Sequence, residues 1–362
     1  MKLRDDVEYI VNKTLLGKQA ICGIKSENAF IKIPIGYRDN FLKFLNFIKG
    51  KEIEEVYEGL SEDEHLYIKI LDLSGFLNNE RPVKKSFNEY EKIGTNFFQK
   101  ALHKSKIFRP AKNLNSFFLL YILTALVCIG FILINFKSIF FKIDIKRLST
   151  LDIAICLTIM PVTVILLHEI GHYIVAQKLD IRAKSLKFGF FIVYPIALVE
   201  YEGLPLYPLS KKVCVILGGV YMHMICACIG LAVLKLTGIT SNILNIWVAS
   251  NVSMMISNLS CASISDGYFL ASNVVGINNL RLNGYRFLNK LIKNRIVSHK
   301  KNERISGIIL TGLFINSFMG MYATSIYWLD MLSIKGPYAL IFSFTLCMFT
   351  FINLIRKILK VN

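Results

Sequence analysis

The chain has 362 residues, 54% of them hydrophobic, and a mean hydropathy of +0.48, which excludes an ordinary soluble globular protein and implies an integral membrane protein. Its formal net charge is +18, yet residues 1–90 hold 14 Lys/Arg against 15 Asp/Glu, leaving 29 basic and 10 acidic residues for the remainder. That excess lies between apolar runs, where it reads as positive-inside anchoring and contact with anionic lipids and argues against a nucleic-acid partner. No apolar run precedes the first polar stretch, so no cleavable signal is expected. The eight cysteines show no CxxC spacing, and all except Cys22 lie in or beside apolar runs. They read as small buried hydrophobes, not as a disulfide framework.

Residues 1–90 predict a small soluble domain. Segments 8–11, 19–22 and 28–33 have the composition of short strands separated by turns. Phe41, Phe44, Leu45 and Ile48 share one helical face, and Gly50 ends that helix. A second short helix is expected over 52–59. Ser61 and Glu64 form a capping box for a third, which carries Leu66, Ile70 and Leu71 and stops near Gly75. Strands followed by three short helices make a winged-helix-like α+β pattern. In order and spacing the domain resembles the peptide-chaperone domain of pyrroloquinoline quinone biosynthesis, the leader-recognition element for ribosomally made, modified peptides. The resemblance implies that a leader peptide adds a strand to the exposed sheet edge. A generic regulatory winged helix is the competing reading. DNA binding fits poorly, because the domain is nearly neutral.

A basic, polar linker is expected over 91–115, and a membrane-embedded domain over 116–362. Six runs are long enough to span a bilayer: 116–136, 153–177, 213–234, 236–265, 305–329 and 336–355. The third and fourth are so close that a tight hairpin is expected around 237–241. Lys178, Arg182, Lys184 and Lys187 follow the second run, a block of eight Lys/Arg from Arg281 to Arg304 follows the fourth, and Arg356, Lys357 and Lys360 close the chain. These place both termini in the cytoplasm, against a smaller opposing cluster at Lys137, Lys142, Lys146 and Arg147. A shorter apolar stretch, 188–199, contains Gly189 and Pro195. It is too short and too broken to span, so a re-entrant hairpin or a membrane-embedded strand pair is expected, with an ordinary packed loop as the alternative. The fold class is thus an α-helical polytopic membrane protein of about six spans plus this hairpin, carrying the small N-terminal domain.

The second run contains His168-Glu169-Ile170-Gly171-His172. On a helix, HExxH sets two imidazoles one turn apart on the same face, where both can ligate one zinc ion while the Glu reaches the attacking water. The 15 residues of 153–167 before the motif carry no charge, and ionisable groups at that depth are costly and functional by default. Zinc then needs a third protein ligand. Asp266 ends the long fourth run at the same expected depth and is the candidate.

From Ile153 to Tyr268 the chain resembles the site-2 protease family of intramembrane zinc metalloproteases, and more closely its bacterial branch of peptide zinc metalloproteases. The resemblance rests on the HExxH and on an Asn-containing stretch, Asn258-Leu259, that leads to Asp266-Gly267-Tyr268. It implies His168, His172 and Asp266 as zinc ligands and Glu169 as the catalytic acid/base. There are two departures. Cys261 and Ser263 stand where the family usually has proline, and the family's Gly-x-x-x-Asn appears as Gly219-Val220-Tyr221-Met222-His223. His223 is a candidate for stabilising the oxyanion, orienting a ligand or packing by hydrogen bonding. Asn258 is a candidate for holding the substrate backbone. The reading that follows is a zinc endopeptidase of a bacterial plasma membrane, maturing a small ribosomally made peptide, with a peptide exporter as a partner. Regulated cleavage of a single-span signalling protein uses the same chemistry. A non-catalytic membrane immunity or transport subunit is the reading without it, and Glu169 speaks against that one.

Overall fold

The computed structural model describes residues 1–33, 35–78, 95–101, 108–136, 148–191, 194–239, 241–259, 265–277, 280–293, 303–312, 314–315, 329 and 337–359. They fall into two compact units. One comprises Met1–Leu114, His172–Gly218 and Asn273–Gly276; the other comprises Asn115–Gly171, Gly219–Ser272 and Ile277–Asn362.

The first unit begins with an antiparallel sheet, β1 (Val7–Thr14), β2 (Gly17–Ile24) and β3 (Ala29–Ile33), in the order β1-β2-β3. Asn28, at φ 56°, takes the left-handed turn that joins β2 to β3, a conformation Asn tolerates better than most residues. Helices α1 (Arg38–Ile48), α2 (Ile53–Val56) and α3 (Glu62–Leu73) follow. The expected capping box is present: Ser61 Oγ accepts from the Glu64 amide, and the Glu64 carboxylate accepts from the Ser61 amide at 2.8 Å. Alternation in β2 points Ala20, Cys22 and Ile24 toward Phe41, Phe44, Ile48, Tyr67 and Leu71, which together form this unit's apolar core. Burial there pushes the Cys22 thiol up to about 12.

The other face of the sheet is covered too. Ile21 points away from the helices yet is only 1% exposed. On that side lies the segment around the 3-10 turn Leu204–Leu206. The Gly203 amide donates to Asn28 Oδ1 at 3.2 Å, and the Lys25 ammonium sits over the Tyr207 ring. A β-carbon on Gly203 would come within 2.5 Å of the Lys25 side chain, so glycine permits the approach.

The same unit holds a second sheet. Residues expected to be linker include β4 (Thr95–Ala101), which pairs antiparallel with β5 (Ala183–Phe191), and β5 pairs with β6 (Tyr194–Tyr201). The described residues of the broken apolar stretch, 188–191 and 194–199, are therefore part of a three-stranded sheet. Pro195 is accommodated near the start of β6, which lies at the sheet's edge and needs no donor on its outer side.

The second unit is helical. It includes all but the first residue of α4 (Leu114–Ile134) and of α8 (Gly218–Thr237), α5 (Thr150–Leu157), most of α6 (Ile159–Lys178), α9 (Asn242–Leu259), most of α10 (Asp266–Val275), α11 (Leu280–Ile292) and α12 (Pro337–Leu359); the short α7 (Leu209–Ile216) and the end of α10 belong to the first unit. A capping box of Ser149 and Asp152 starts α5. Pro161 cannot donate to the carbonyl four residues back, which accounts for the break at Thr158 between α5 and α6. Cys128, Ile132, Met224, Ala227, Leu231, Val248 and Val252 join α4, α8 and α9 in a second apolar core. Among the described residues three stretches are long and apolar enough to cross a membrane: Leu114–Ile134, Thr150–Lys178 (α5 and α6 taken together across Thr158) and Gly218–Thr237. α8 ends at Thr237 and α9 begins at Asn242, on either side of the expected turn, whose residue 240 lies outside the described residues. Most of the expected span 305–329 falls outside the described residues.

Candidate metal centre

The motif lies in the second half of α6, and the helical period brings His168 and His172 onto one face. Asp266 is the first residue of α10 and does not sit at the end of the preceding helix. Ser265, immediately before it, is not helical, and residues 260–264 of the expected run lie outside the described residues. A carboxylate in the first turn of a helix faces the positive end of its dipole and its free amides, which favours the ionised form that ligates metal. Ligand atoms of His168, His172 and Asp266 all lie within 4.8 Å of one another. His168 Nε2 is 3.2 Å from Asp266 Oδ2. As whole residues all three, and Glu169 between the histidines, are at most 9% exposed, and the Asp266 side chain itself is 12% exposed.

Backbone contacts orient the ligands. His172 Nδ1 is 2.7 Å from the carbonyl oxygen of Val215 in α7. A carbonyl only accepts, so Nδ1 carries the proton and the Nε2 lone pair is left for a metal, the arrangement usual for ligating histidines. Two imidazoles and a carboxylate are a donor set that divalent metal ions such as zinc accept. The residues fit a divalent metal ion, and the group could hold one.

Two glycines set the spacing. A β-carbon on Gly219 would come within 2.3 Å of the His168 ring, so α8 reaches this ligand only because residue 219 has no side chain. A β-carbon on Gly267 would meet the Leu259 carbonyl at 2.2 Å, which explains glycine directly after Asp266.

The structure brings His223 against the site but does not include it in the metal group. Its ring stacks on that of His168 with centroids 5.0 Å apart. His223 Nδ1 lies 2.9 Å from Asn251 Oδ1, and Asn251 Nδ2 donates to the Trp247 carbonyl at 2.9 Å. Both His223 and Asn251 are fully buried. Because the amide nitrogen of Asn251 is committed to Trp247, its oxygen faces the ring, and His223 Nδ1 is the donor. Asn258 is placed differently: its Nδ2 donates at 3.0 Å to the Met254 carbonyl one turn back on its own helix.

Asn251 is the residue that motif reading passed over, although it had a signal. It lies seven residues before Asn258 on the same helical face, and a buried amide in an apolar helix needs a partner. The Val215 carbonyl had none, since any residue supplies one. Cys261 and Ser263, the positions that depart from the family pattern, lie outside the described residues. No family model matches the sequence, and no curated protein matches it.

Proposed function

We propose that this chain is a membrane-embedded zinc endopeptidase that matures a small ribosomally made peptide. The observation that carries the reading is the buried His168–His172–Asp266 group with Glu169 between two of its members, on a helix apolar and long enough to cross a membrane. Zinc held there would supply a Lewis acid that lowers the pKa of a water toward neutrality and polarises the scissile carbonyl. Glu169 takes the proton of the attacking water and returns it to the departing amine. Asp266, His168 and His172 would hold the ion, and the Val215 carbonyl keeps the His172 Nε2 lone pair available for it. His223 Nδ1 is committed to Asn251 and its ring stacks on that of His168; of its candidate roles this supports orienting a neighbour.

On the substrate side the reading is supported by two sheet edges. Among the described residues β3 and β6 are the last strands of their sheets, and an extended peptide can pair with such an edge. We assign the leader to the N-terminal sheet and the segment to be cut to the second one. The remaining parts of the proposal are six spans, a bacterial plasma membrane, cytoplasmic termini and an exporter partner, and they rest on the charge pattern and the resemblance.

Glu169→Gln tests the reading. It preserves the shape of the site but removes the base, so turnover is expected to fall by at least about 100-fold, the range for loss of a general base. Purified from its native cell in mild detergent, this variant should retain a short peptide identifiable by mass spectrometry. A retained single-span membrane protein would shift the assignment to regulated proteolysis, and unchanged turnover would end the catalytic reading.

A further inference from the structure

The N-terminal hairpin touches the elements around the metal centre in a way that leader recruitment does not require. Helix α7 starts after Pro208, which has no side-chain acceptor with which to cap it. The missing cap is supplied from β1: Asn12 Oδ1 accepts from the Leu209 amide at 2.9 Å, and Asn12 is only 4% exposed despite lying in a strand of the soluble domain. Six residues further along, the same helix presents the Val215 carbonyl to His172. Lys211, also on α7, donates from Nζ to the Leu179 carbonyl at 2.9 Å, at the end of the helix that carries the motif. The hairpin has a second hold. Leu15, in the turn after β1, donates its amide to the Val274 carbonyl at 2.9 Å, and Thr14 packs on Gly276, whose φ of +82° and lack of a side chain allow the contact. Those residues close α10, the helix that Asp266 begins.

We propose that the N-terminal domain is a fixed brace of the metal centre and that Asn12 is its positioning residue, acting through the α7 N-terminus and the Val215 carbonyl on His172. The inference rests on the metal reading above, but it assigns the domain a task independent of any peptide. A cap bond fixes the first turn of a short helix, and in an eight-residue helix that turn is a large part of the whole. A frayed α7 shifts the Val215 carbonyl, and His172 then loses the contact that selects its tautomer and ring angle. Losing a direct outer partner weakens metal binding by about 10–100-fold. Asn12 acts one step further out, so roughly three- to tenfold is expected.

The test uses full-length, metal-free protein in detergent and titrates it with Co2+ alone, whose visible spectrum reports four-coordinate ligation. Amide exchange of residues 209–216 is followed in parallel. Asn12→Ala should accelerate that exchange, weaken Co2+ binding by the stated factor and reduce the tetrahedral absorbance at saturation. Asn12→Asp retains the acceptor and should restore all three. Faster exchange with unchanged Co2+ affinity would overturn the proposal, since Asn12 would then only stabilise α7. Should Asn12→Ala fail to fold, Asn12→Gln keeps the polarity but displaces the oxygen by one methylene; wild-type Co2+ affinity in that variant overturns the proposal equally. A wild type that binds no more Co2+ than His168→Ala would end the metal reading itself, and this inference with it.

Discussion

At the scale of single residues, the metal group is a problem of spacing. His168, His172 and Asp266 were readable because ionisable side chains stand out in apolar runs, and because HExxH carries its own geometry. What determines whether they converge was not readable. It depends on a carbonyl at Val215 and on the absence of a β-carbon at Gly219. The second point can be tested directly. Gly219→Ala puts a β-carbon 2.3 Å from the His168 ring and forces that ring, a member of the candidate metal group, to move. Metal affinity is expected to fall at least about tenfold, as it does when an outer partner of a ligand is lost. Gly130→Ala on α4 meets nothing within 4 Å and should bind metal like the wild type. Equal affinities in the two variants, measured by Co2+ titration, would show that His168 adjusts without cost. Asn258, the candidate for holding the substrate backbone, donates its amide to Met254 on its own helix, and the buried contact with His223 is made by Asn251, one heptad earlier.

At the scale of elements, local rules read well wherever chain neighbours make the structure. The three strands and three helices of the N-terminal domain follow from alternation, helical faces and a capping box, and each lies close to its expected place. Ser61 shows the strength of such a local signal. Its hydroxyl and the Glu64 carboxylate satisfy two amides that would otherwise be free at the start of α3, and hydrogen bonding to Ser61 holds that carboxylate below its ordinary pKa. Ser61→Ala is expected to cost about 1 kcal/mol, seen as roughly fivefold faster amide exchange in the first turn of α3. An exchange rate unchanged in that turn would mean that packing on Tyr67 and Leu71, not the cap, holds the helix. Non-local pairing was harder to read. The strand at Thr95–Ala101 finds its partner almost ninety positions away at Ala183–Phe191, and its basic, polar surroundings masked it as linker. Asp266 was likewise taken to end a helix, because an uninterrupted apolar run does not show where one helix stops and the next begins.

At the scale of the whole molecule, composition announces a membrane protein, and three stretches of the described residues meet the length and apolarity that spanning requires. It does not announce that the central strand of the N-terminal sheet, β2, is buried on both faces. A strand whose residues alternate between two covered sides looks, in sequence, like one with a single covered side and some extra hydrophobes; Ile21 is such a residue. The packing of 203–212 onto that second face leaves a titration signature. Lys212 is 3% exposed, with its ammonium 3.2 Å from the Pro205 carbonyl, and burial, helped by the charge of Lys32, pulls it down to about 8. Lys32 lies on the same sheet face as Ile21, its cross-strand partner, and burial pulls it to about 8 as well. The sign of the effect follows from proton counting. Between pH 8 and the ordinary lysine range the unfolded chain holds protons that the folded chain has already released, so stability rises with pH across that window. Below pH 8 both states are protonated and the full cost of burying the two charges is present. The apparent melting temperature of the detergent-solubilised protein should therefore climb from pH 7 to pH 9.5. Lys212→Met, which fills the same space without a charge, should raise it at pH 7 and flatten the climb. A flat wild-type profile would mean that water reaches both ammonium groups, and that the second face of the sheet is open in solution.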